Sequence, residues 1–159
     1  YAIAQAEHRV WITNPYFVPS STIENALVAA ALRGVDVQLL VPARSDNFVV
    51  QMASRSYFPR LIESGARVFR YGRGFVHAKT MVVDGWVATV GSANMDMRSF
   101  QLNFELNPFL VDAAFARELA EQFRDDLRRS TEYRQEDVDR ENLLSRLVSG
   151  VARLMSPLL

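Results

Sequence analysis

The sequence predicts an α/β domain with a mixed, largely parallel β-sheet flanked by helices. Three apolar strand segments alternate with helical segments up to residue 71, a pattern typical of crossover units with parallel strands. A β-hairpin follows over residues 75–94, because Asp84-Gly85 stands between two apolar, β-branched segments. The chain has 159 residues, 49% of them hydrophobic, which suits one domain with a buried core.

The first elements follow from apolar runs and capping signals. Residues 9–13 form a short apolar run that predicts a buried strand. A helix then begins at Ser20 or Ser21, with Glu24 in the position of a capping box. The segment 35–41 is the second predicted strand, since it is rich in valine and leucine and is bounded by glycine and proline.

The remaining elements alternate in the same way. A helical pattern extends over residues 47–64 and is interrupted near Pro59, because proline disrupts interior helical hydrogen bonds. The strand 67–71 completes the predicted parallel part of the sheet. After the hairpin, alternating polar and apolar residues predict a strand over 102–111, and an amphipathic pattern predicts a helix over 112–130.

Polar side chains gather on one face of the predicted hairpin, at its open end. With a two-residue turn, His77 lies opposite Ser92 on the face that carries Lys79, and Asn94 follows on the same face. Asp84 falls on the other face, at the turn. An imidazole, an ammonium, a hydroxyl and an amide are the groups that a site for a phosphate ester requires.

Composition narrows the chemistry further. The 18 basic residues comprise 17 arginines and one lysine, Lys79, and the formal net charge is zero. An arginine-biased composition explains the arginines, whereas a compact ammonium in the hairpin is a usual phosphate ligand. Zero net charge does not indicate bulk nucleic-acid binding. The absence of cysteine excludes disulfides, thiolate catalysis and cysteine-ligated zinc.

Two further places supply candidate site residues. Asn14 and Tyr16 follow the carboxyl end of the first strand, where ligands bind in open α/β sheets. The alternative is that Tyr16 and Phe17 only fill the core. On the polar face of the strand 102–111, Glu105 would accept a proton from one ring nitrogen of His77 and so fix the tautomer of the ring.

The C-terminal segment 142–159 is amphipathic. It either packs as a helix on its own domain or on another part of the protein, or it lies in a membrane interface. The whole sequence has no run of 18 apolar residues, so no membrane-spanning segment is predicted. The apolar stripe of the tail consists of Leu143, Leu144, Leu147, Val148, Val151, Leu154 and Met155.

Six hairpin residues follow a fixed spacing: His77-x-Lys79-x4-Asp84-x6-Gly91-Ser92-x-Asn94. This spacing resembles the HKD motif of the phospholipase D superfamily at every fixed position. The segments NPYFVP, RGVDV, GSANMDMRS, LNFE and SPLL are similar to the C-terminal half of a bacterial cardiolipin synthase. The resemblance implies a single phospholipase D-like sandwich over 1–159, with an N-terminal half and membrane-spanning helices outside this sequence.

The resemblance also implies a mechanism, that of a cardiolipin synthase-type phosphatidyltransferase. A phosphatidyl group would pass from one phosphatidylglycerol to a second through a phosphohistidine. One motif histidine attacks the phosphorus, and the histidine of the other half protonates the leaving alkoxide and deprotonates the incoming alcohol. Which of the two roles His77 takes stays open. Lys79 and Asn94, with Ser92 as a further candidate, would hold the non-bridging oxygens.

Other roles and partners follow from the same resemblance. Glu105 matches the carboxylate that orients the histidine, whereas Asp84 is expected to be structural because the hairpin places it off the reactive face. No cofactor and no metal are implied, since lysines and hydrogen-bond donors supply the positive field. The implied partners are phosphatidylglycerol, an N-terminal HKD half or a second copy, and the surface of a bacterial inner membrane, with no nucleic acid.

Alternatives of other classes stay open. The second hypothesis is a phospholipase D-type hydrolase or nuclease that uses water as the acceptor, and zero net charge and the apolar tail favour lipid over nucleic acid as the substrate. The chain is also compatible with an inactive half-domain that serves as an interaction module, because one motif supplies only half a site. The acceptor alcohol, whether phosphatidylglycerol or phosphatidylethanolamine, is not decided by the sequence.

Overall fold

The computed structural model of this chain describes residues 1–141 and 143–154. Within these residues, seven strands form one mixed sheet in the order β6-β5-β4-β1-β2-β3-β7. The pairs β1–β2 and β2–β3 are parallel, and the other neighbouring pairs are antiparallel. The strands are β1 (Arg9–Thr13), β2 (Asp36–Pro42), β3 (Arg67–Tyr71), β4 (Thr80–Val83), β5 (Val87–Val90), β6 (Phe109–Val111) and β7 (Ser130–Tyr133).

Helices cover both faces of this sheet, which confirms the predicted α/β class. Side-chain caps begin four of them: Ser20, Asn47, Asp96 and Asp112 accept hydrogen bonds from backbone N–H groups of the first helical turn. The helices are α1 (Ala2–Gln5), α2 (Ser21–Leu32), α3 (Phe48–Arg55), α4 (Phe58–Glu63), α5 (Met97–Gln101), α6 (Ala113–Leu127), α7 (Gln135–Asp139) and α8 (Leu143–Leu154).

The sheet separates two apolar layers, because successive side chains of a strand point to opposite faces. Val10 and Ile12 of β1 belong to the larger layer, which packs against α2, α3 and α4. Trp11, between them, belongs to the smaller layer under α6. There the indole stacks on Phe123 with ring centroids 5.3 Å apart. The result is a three-layer sandwich whose central strands β1 and β2 are buried on both faces, whereas the edge strand β6 is exposed.

The predicted hairpin is present as β4 and β5, but its register is one residue away from the predicted one. The N–H of Gly91 donates to the carbonyl of Lys79 at 3.1 Å. Lys79 therefore lies opposite Gly91. The predicted pairing of His77 with Ser92 is wrong, and the ladder alone does not place these two residues face to face.

A bulge at the hairpin turn causes the shift. Asp84 and Gly85 adopt positive φ angles of 53° and 80°, and the N–H of Trp86 donates to the carbonyl of Val83 at 3.3 Å. These two residues form the expected turn, but Trp86 lies outside the ladder as an extra residue. Its carbonyl accepts the N–H of Asp112 at 2.9 Å, so the bulge joins the hairpin to the start of α6.

The predicted strand over 102–111 is wrong for most of its length, because only Phe109–Val111 joins the sheet. Pro108 precedes it and has no N–H for a ladder bond. Before the proline, the N–H of Leu106 donates to the side-chain hydroxyl of Ser92 at 3.0 Å. Side-chain bonds of this kind hold the irregular segment 102–108 in place of a regular ladder.

The elements β7 and α7 follow α6 in the chain, and the sequence pattern does not predict them. β7 pairs with the edge strand β3 in antiparallel fashion. Arg67 of β3 donates from Nε to the Glu132 carboxylate at 2.8 Å. Along the segments described, no helix is long and apolar enough to cross a lipid bilayer.

The C-terminal helix α8 packs against α3 through buried Ser149 and Ala152. Arg153 donates from Nη2 to the buried Glu24 carboxylate at 3.0 Å, and Arg60 lies 3.3 Å from the same group. Glu24 thus pairs with two arginines, and the predicted capping-box role of Glu24 at the start of α2 is wrong.

Three described side chains of the apolar stripe, those of Leu147, Val148 and Val151, are exposed to solvent. Leu147 and Val151 are 58% and 61% exposed. Residues 142 and 155–159, with Met155 of the predicted stripe, lie outside the described residues, as do the side chains of Leu143, Leu144 and Leu154.

Candidate active site

The centre of the site is a contact between His77 and Lys79, just before β4. Lys79 Nζ lies 3.0 Å from Nδ1 and 3.1 Å from Nε2 of the imidazole, and it donates to the His77 carbonyl at 2.9 Å. An ammonium only donates, so the imidazole offers it the nitrogen that carries no proton. Burial lowers the pKa of Lys79, while the charges of Glu105 and Asp96 oppose that effect.

Aromatic rings and an acid surround the other side of His77. The Tyr16 ring meets the imidazole edge-on at 6.0 Å, and the Phe75 ring lies at 5.4 Å. The Tyr16 hydroxyl donates to Asp46 at 2.5 Å. Burial, helped by this bond, raises the pKa of Tyr16 to about 12. The bond also lowers the pKa of Asp46.

Sequence reasoning missed Asp46, although a signal for it exists. Asp46 follows the carboxyl end of β2, just as Asn14 follows that of the neighbouring parallel strand β1. Loops at adjacent carboxyl ends meet in space. Asn14 itself is buried, and its Oδ1 accepts the backbone N–H groups of Tyr16 at 3.2 Å and Met95 at 3.1 Å. It therefore ties the β1 loop to the segment after the hairpin.

A second cluster centres on Ser92 and Glu105. The Ser92 hydroxyl donates to the Glu105 carboxylate, which also accepts from Asn103 at 3.1 Å and Ser99 at 3.4 Å. The bond from Ser92 is the main cause that lowers the pKa of Glu105. Over the described part of the chain, no hydrogen bond joins Glu105 to His77, so the predicted carboxylate–imidazole contact is absent.

The Asn94 side chain is unengaged. Its backbone N–H donates to the Ser99 hydroxyl at 3.0 Å, but the buried Oδ1 has no partner among the described residues. A buried amide without a partner is costly unless a bound group completes it. Oδ1 is an acceptor and is open to a donor on a ligand, whereas the Nδ2 group of the same amide is the part that can donate to a phosphate oxygen.

Asp84 lies at the turn, at the other end of β4 from Lys79. Its carboxylate accepts three backbone N–H groups, from Glu7 at 3.0 Å and from His8 and Arg9 at 2.8 Å. Burial alone would raise the pKa of Asp84, but these three bonds outweigh it and the pKa is lowered. The carboxylate fastens the hairpin turn to the start of β1.

Three or more potential metal-ligating side chains do not cluster anywhere in the described ranges. The site brings together an imidazole, an ammonium and an amide. Together they provide a nucleophile or acid–base group beside positive charge and hydrogen-bond donors.

The fold and the histidine–lysine site define a phospholipase D-like domain. The family model described as the PLD-like domain of cardiolipin synthase matches residues 1–127. The chain belongs to this family, which confirms the resemblance stated from the sequence.

Curated relatives agree with this assignment. Cardiolipin synthase 2 of Bacillus cereus is 47% identical over 157 residues, which are 99% of this chain and 30% of that protein. The probable cardiolipin synthase YwiE of Bacillus subtilis is 46% identical over 157 residues, or 31% of its length. This chain thus spans about 30% of the length of the relatives it matches.

Solved structures confirm the fold. Nuc from Salmonella typhimurium, a phospholipase D family member, superposes with a TM-score of 0.74 at 25% identity, covering 84% of this chain and 87% of Nuc. Phosphatidylserine synthase from Haemophilus influenzae has the same TM-score at 18% identity, covering 99% of this chain and 43% of that enzyme. The second likeness concerns the fold alone.

Proposed function

We propose that this chain is one half of the catalytic site of a bacterial cardiolipin synthase. It transfers a phosphatidyl group from one phosphatidylglycerol to a hydroxyl of a second. The contact between Lys79 and His77 carries this proposal. The 47% identity to a cardiolipin synthase over 99% of the chain supports a phospholipid as the substrate.

The chemistry proceeds by two displacements at phosphorus. A histidine ring nitrogen forms a P–N bond to the phosphorus as the P–O bond to the headgroup glycerol of the first phosphatidylglycerol breaks. A second histidine gives the oxygen of the departing glycerol a proton. The hydroxyl of the second phosphatidylglycerol then loses its proton to this second histidine. Its oxygen forms the new P–O bond as the P–N bond breaks. His77 supplies either the nucleophile or the acid–base group.

Positive charge stabilises the phosphorus centre as negative charge accumulates on its non-bridging oxygens. Lys79 donates to these oxygens, with Asn94 as a second donor. Ser92 is held by Glu105, and we assign both a positioning role for the segment around Asn94. Asn14 and Tyr16 lie in the loop after β1, beside the site, where they contact the substrate. Asp84 does not contact the substrate, and its role is to stabilise the fold.

A complete site needs a second histidine. The relatives are about three times as long as this chain, which supports a second phospholipase D-like half as the partner. A second copy of this chain is the alternative source. The relatives are bacterial cardiolipin synthases, which supports a site at the inner membrane surface, where both lipid substrates are found.

The deciding experiment is product analysis with labelled phosphatidylglycerol in mixed micelles. The chain alone is compared with the chain joined to an N-terminal HKD half and with the joined form carrying His77→Ala. His8→Ala is the matched control, because His8 is exposed and its hydrogen bonds, to Asp84 and from Asp36, use only its backbone. We expect cardiolipin from the joined form, a loss of about 10²–10⁴-fold in His77→Ala, and no loss in His8→Ala.

The products separate the alternatives. Phosphatidic acid as the sole product would reassign the protein as a hydrolase that uses water as acceptor. No lipid product from the joined form would overturn the proposal and favour a nuclease or an inactive half. Equal activity of His77→Ala and the joined wild type would remove His77 from the mechanism.

A further inference from the structure

An open cavity of about 640 Å³ adjoins the site on the face of the hairpin that carries Lys79. It lies between the hairpin, the beginnings of α1 and α2, and the segment 93–109. Lys79, Ser99 and Glu105 line its polar end. The volume is within the range of small-molecule binding sites, about 300–1,000 Å³.

The register of the sheet builds the floor of this cavity. Met81 of β4, Thr89 of β5 and Phe109 of β6 lie opposite one another across three antiparallel strands and share a face. Lys79 is two residues before Met81, so the two positions are about 7 Å apart along the strand direction. The apolar floor therefore begins one side-chain row beyond the ammonium. On the opposite wall, Ile3 of α1 and Ile23 of α2 add further apolar surface.

One side chain of the floor has an unsatisfied polar atom. Thr89 is 5% exposed, and its hydroxyl has no hydrogen-bond partner among the described residues. A buried hydroxyl without a partner is costly in a native protein and requires an explanation. A ligand in the cavity would explain the unpartnered hydroxyl. Rotation about χ1 exchanges the hydroxyl and methyl groups of a threonine, so the Thr89 hydroxyl can turn toward such a ligand and donate to it.

We propose that this cavity binds the acylated glycerol of the phosphatidyl group whose phosphate lies at Lys79. The inference rests on the proposed function and names where the apolar part of its substrate is held. The cavity has a charged end at Lys79 and continues as an apolar cleft. This arrangement matches a phospholipid, in which the phosphate is followed by ester-linked acyl chains. The Thr89 hydroxyl donates to an ester carbonyl, and the apolar side chains contact the first carbons of an acyl chain.

Binding to the 159-residue chain tests this without any chemistry. The probe is dihexanoylphosphatidylglycerol below its micelle concentration, and glycerophosphoglycerol has the same phosphodiester without acyl chains. Ile23→Trp fills the cavity, whereas Leu32→Trp is the matched control on the same helix, at a position 70% exposed. By calorimetric titration, we expect Ile23→Trp to weaken the dihexanoyl lipid about tenfold and to leave glycerophosphoglycerol unchanged.

Thr89→Val is a second variant that keeps the side-chain shape. Removal of an unpaired hydroxyl should raise the melting temperature of the ligand-free chain. The same change should weaken the dihexanoyl ester about two- to tenfold. It should leave the dihexyl ether analogue unaffected, since that lipid has no ester carbonyl. A merely structural role for Thr89 would move the melting temperature without this ester–ether difference.

Dihexanoyl lipid binding that equals wild type in both folded variants overturns the inference. If Ile23→Trp does not fold, the ester–ether comparison in Thr89→Val decides alone. Cardiolipin synthesis by the joined two-half form is measured separately. Cavity-dependent lipid binding without synthesis refutes the proposed function only, and synthesis with binding insensitive to both variants refutes this inference only.

Discussion

At the residue scale, Asp84 belongs to the motif, but its contacts stabilise the fold and do not reach the His77–Lys79 contact. The two oxygens of the Asp84 carboxylate accept hydrogen bonds from three backbone N–H groups. An asparagine at this position has only one acceptor oxygen, so it cannot satisfy all three donors. We expect Asp84→Asn to lower the free energy of unfolding by about 1–3 kcal/mol, measured by urea titration.

Asp125→Asn is the control for this change. Asp125 pairs with Arg128 on the surface of α6, where both side chains are largely exposed. Such pairs contribute about 0–1 kcal/mol. A cost for Asp84→Asn no larger than that of Asp125→Asn would contradict the anchoring role.

Gly91 is required for a close approach. A Cβ at this position would lie 2.3 Å from Asn107 Oδ1 and 2.5 Å from the backbone carbonyl of Leu106. Since the backbone carbonyl cannot rotate away, Gly91→Ala must displace the segment that carries Glu105. We expect a loss of about 1–3 kcal/mol in the free energy of unfolding by urea titration.

Gly150→Ala is the opposite case. Gly150 lies inside α8, and a Cβ there meets nothing within 4 Å. Alanine is preferred to glycine in a helix, so this variant should be more stable by about 0.5–1 kcal/mol. Equal effects of the two glycine substitutions would show that Gly91 has no special packing.

At the element scale, α8 is held to the core by charge. Glu24 is almost fully buried, and its partners Arg60 and Arg153 are 49% and 41% exposed. Because the arginines are partly screened by solvent, we expect Glu24→Gln to cost about 1–3 kcal/mol and not the larger cost of a fully buried pair. Hydrogen exchange should become faster in α8 before the rest of the domain.

The matched control is Glu63→Gln, because Glu63 is exposed at the end of α4. Its effect should stay within about 0.5 kcal/mol. Unchanged exchange of α8 amides in Glu24→Gln would show that Ser149 and Ala152 hold the helix without help from Arg153.

The elements differ in how far the sequence predicts them. The bounds of β1 and β3 match the expected 9–13 and 67–71, because short apolar runs between turn residues define them. The predicted register of the hairpin is wrong because of the bulge at Trp86. This bulge is held by contacts with distant parts of the chain, from Asp84 to the start of β1 and from Trp86 to the start of α6. Contacts of this kind leave no local pattern.

The site follows the same rule. The spacing from His77 to Asn94 predicts where the functional groups are, and the structure brings His77 and Lys79 into contact. Asp46 and the bond between Ser92 and Glu105 depend on loops that meet only in the folded chain. Segment 102–108 alternates like a strand but is held by side-chain bonds, so its pattern misleads.

At the scale of the whole molecule, stability should depend on pH through its paired carboxylates. Hydrogen bonds from Arg67 lower the pKa of Glu132 from its ordinary 4.5, and backbone N–H groups lower that of Asp84 from 3.8 despite its burial. A lowered pKa means that the folded state binds fewer protons. This stabilisation is fully present above the ordinary values and is lost as the pH falls through the folded values.

We therefore expect the free energy of unfolding to be constant between about pH 6 and pH 8 and to fall below about pH 4.5. Urea titrations across this range provide the measurement. The decline should be shallower in Asp84→Asn, because that variant no longer binds a proton at this position. A stability that rises on acidification would contradict the assigned pKa directions.

Lys79 has one more consequence, because it is the single lysine of the chain. A lysine-specific endoprotease therefore has one cleavage position, before Thr80. Thr80 is paired with β1 on one side and β5 on the other, so the bond is protected while the sheet is intact. The appearance of two fragments on a gel would time the opening of the hairpin directly, and a lipid bound beside Lys79 would slow the cut.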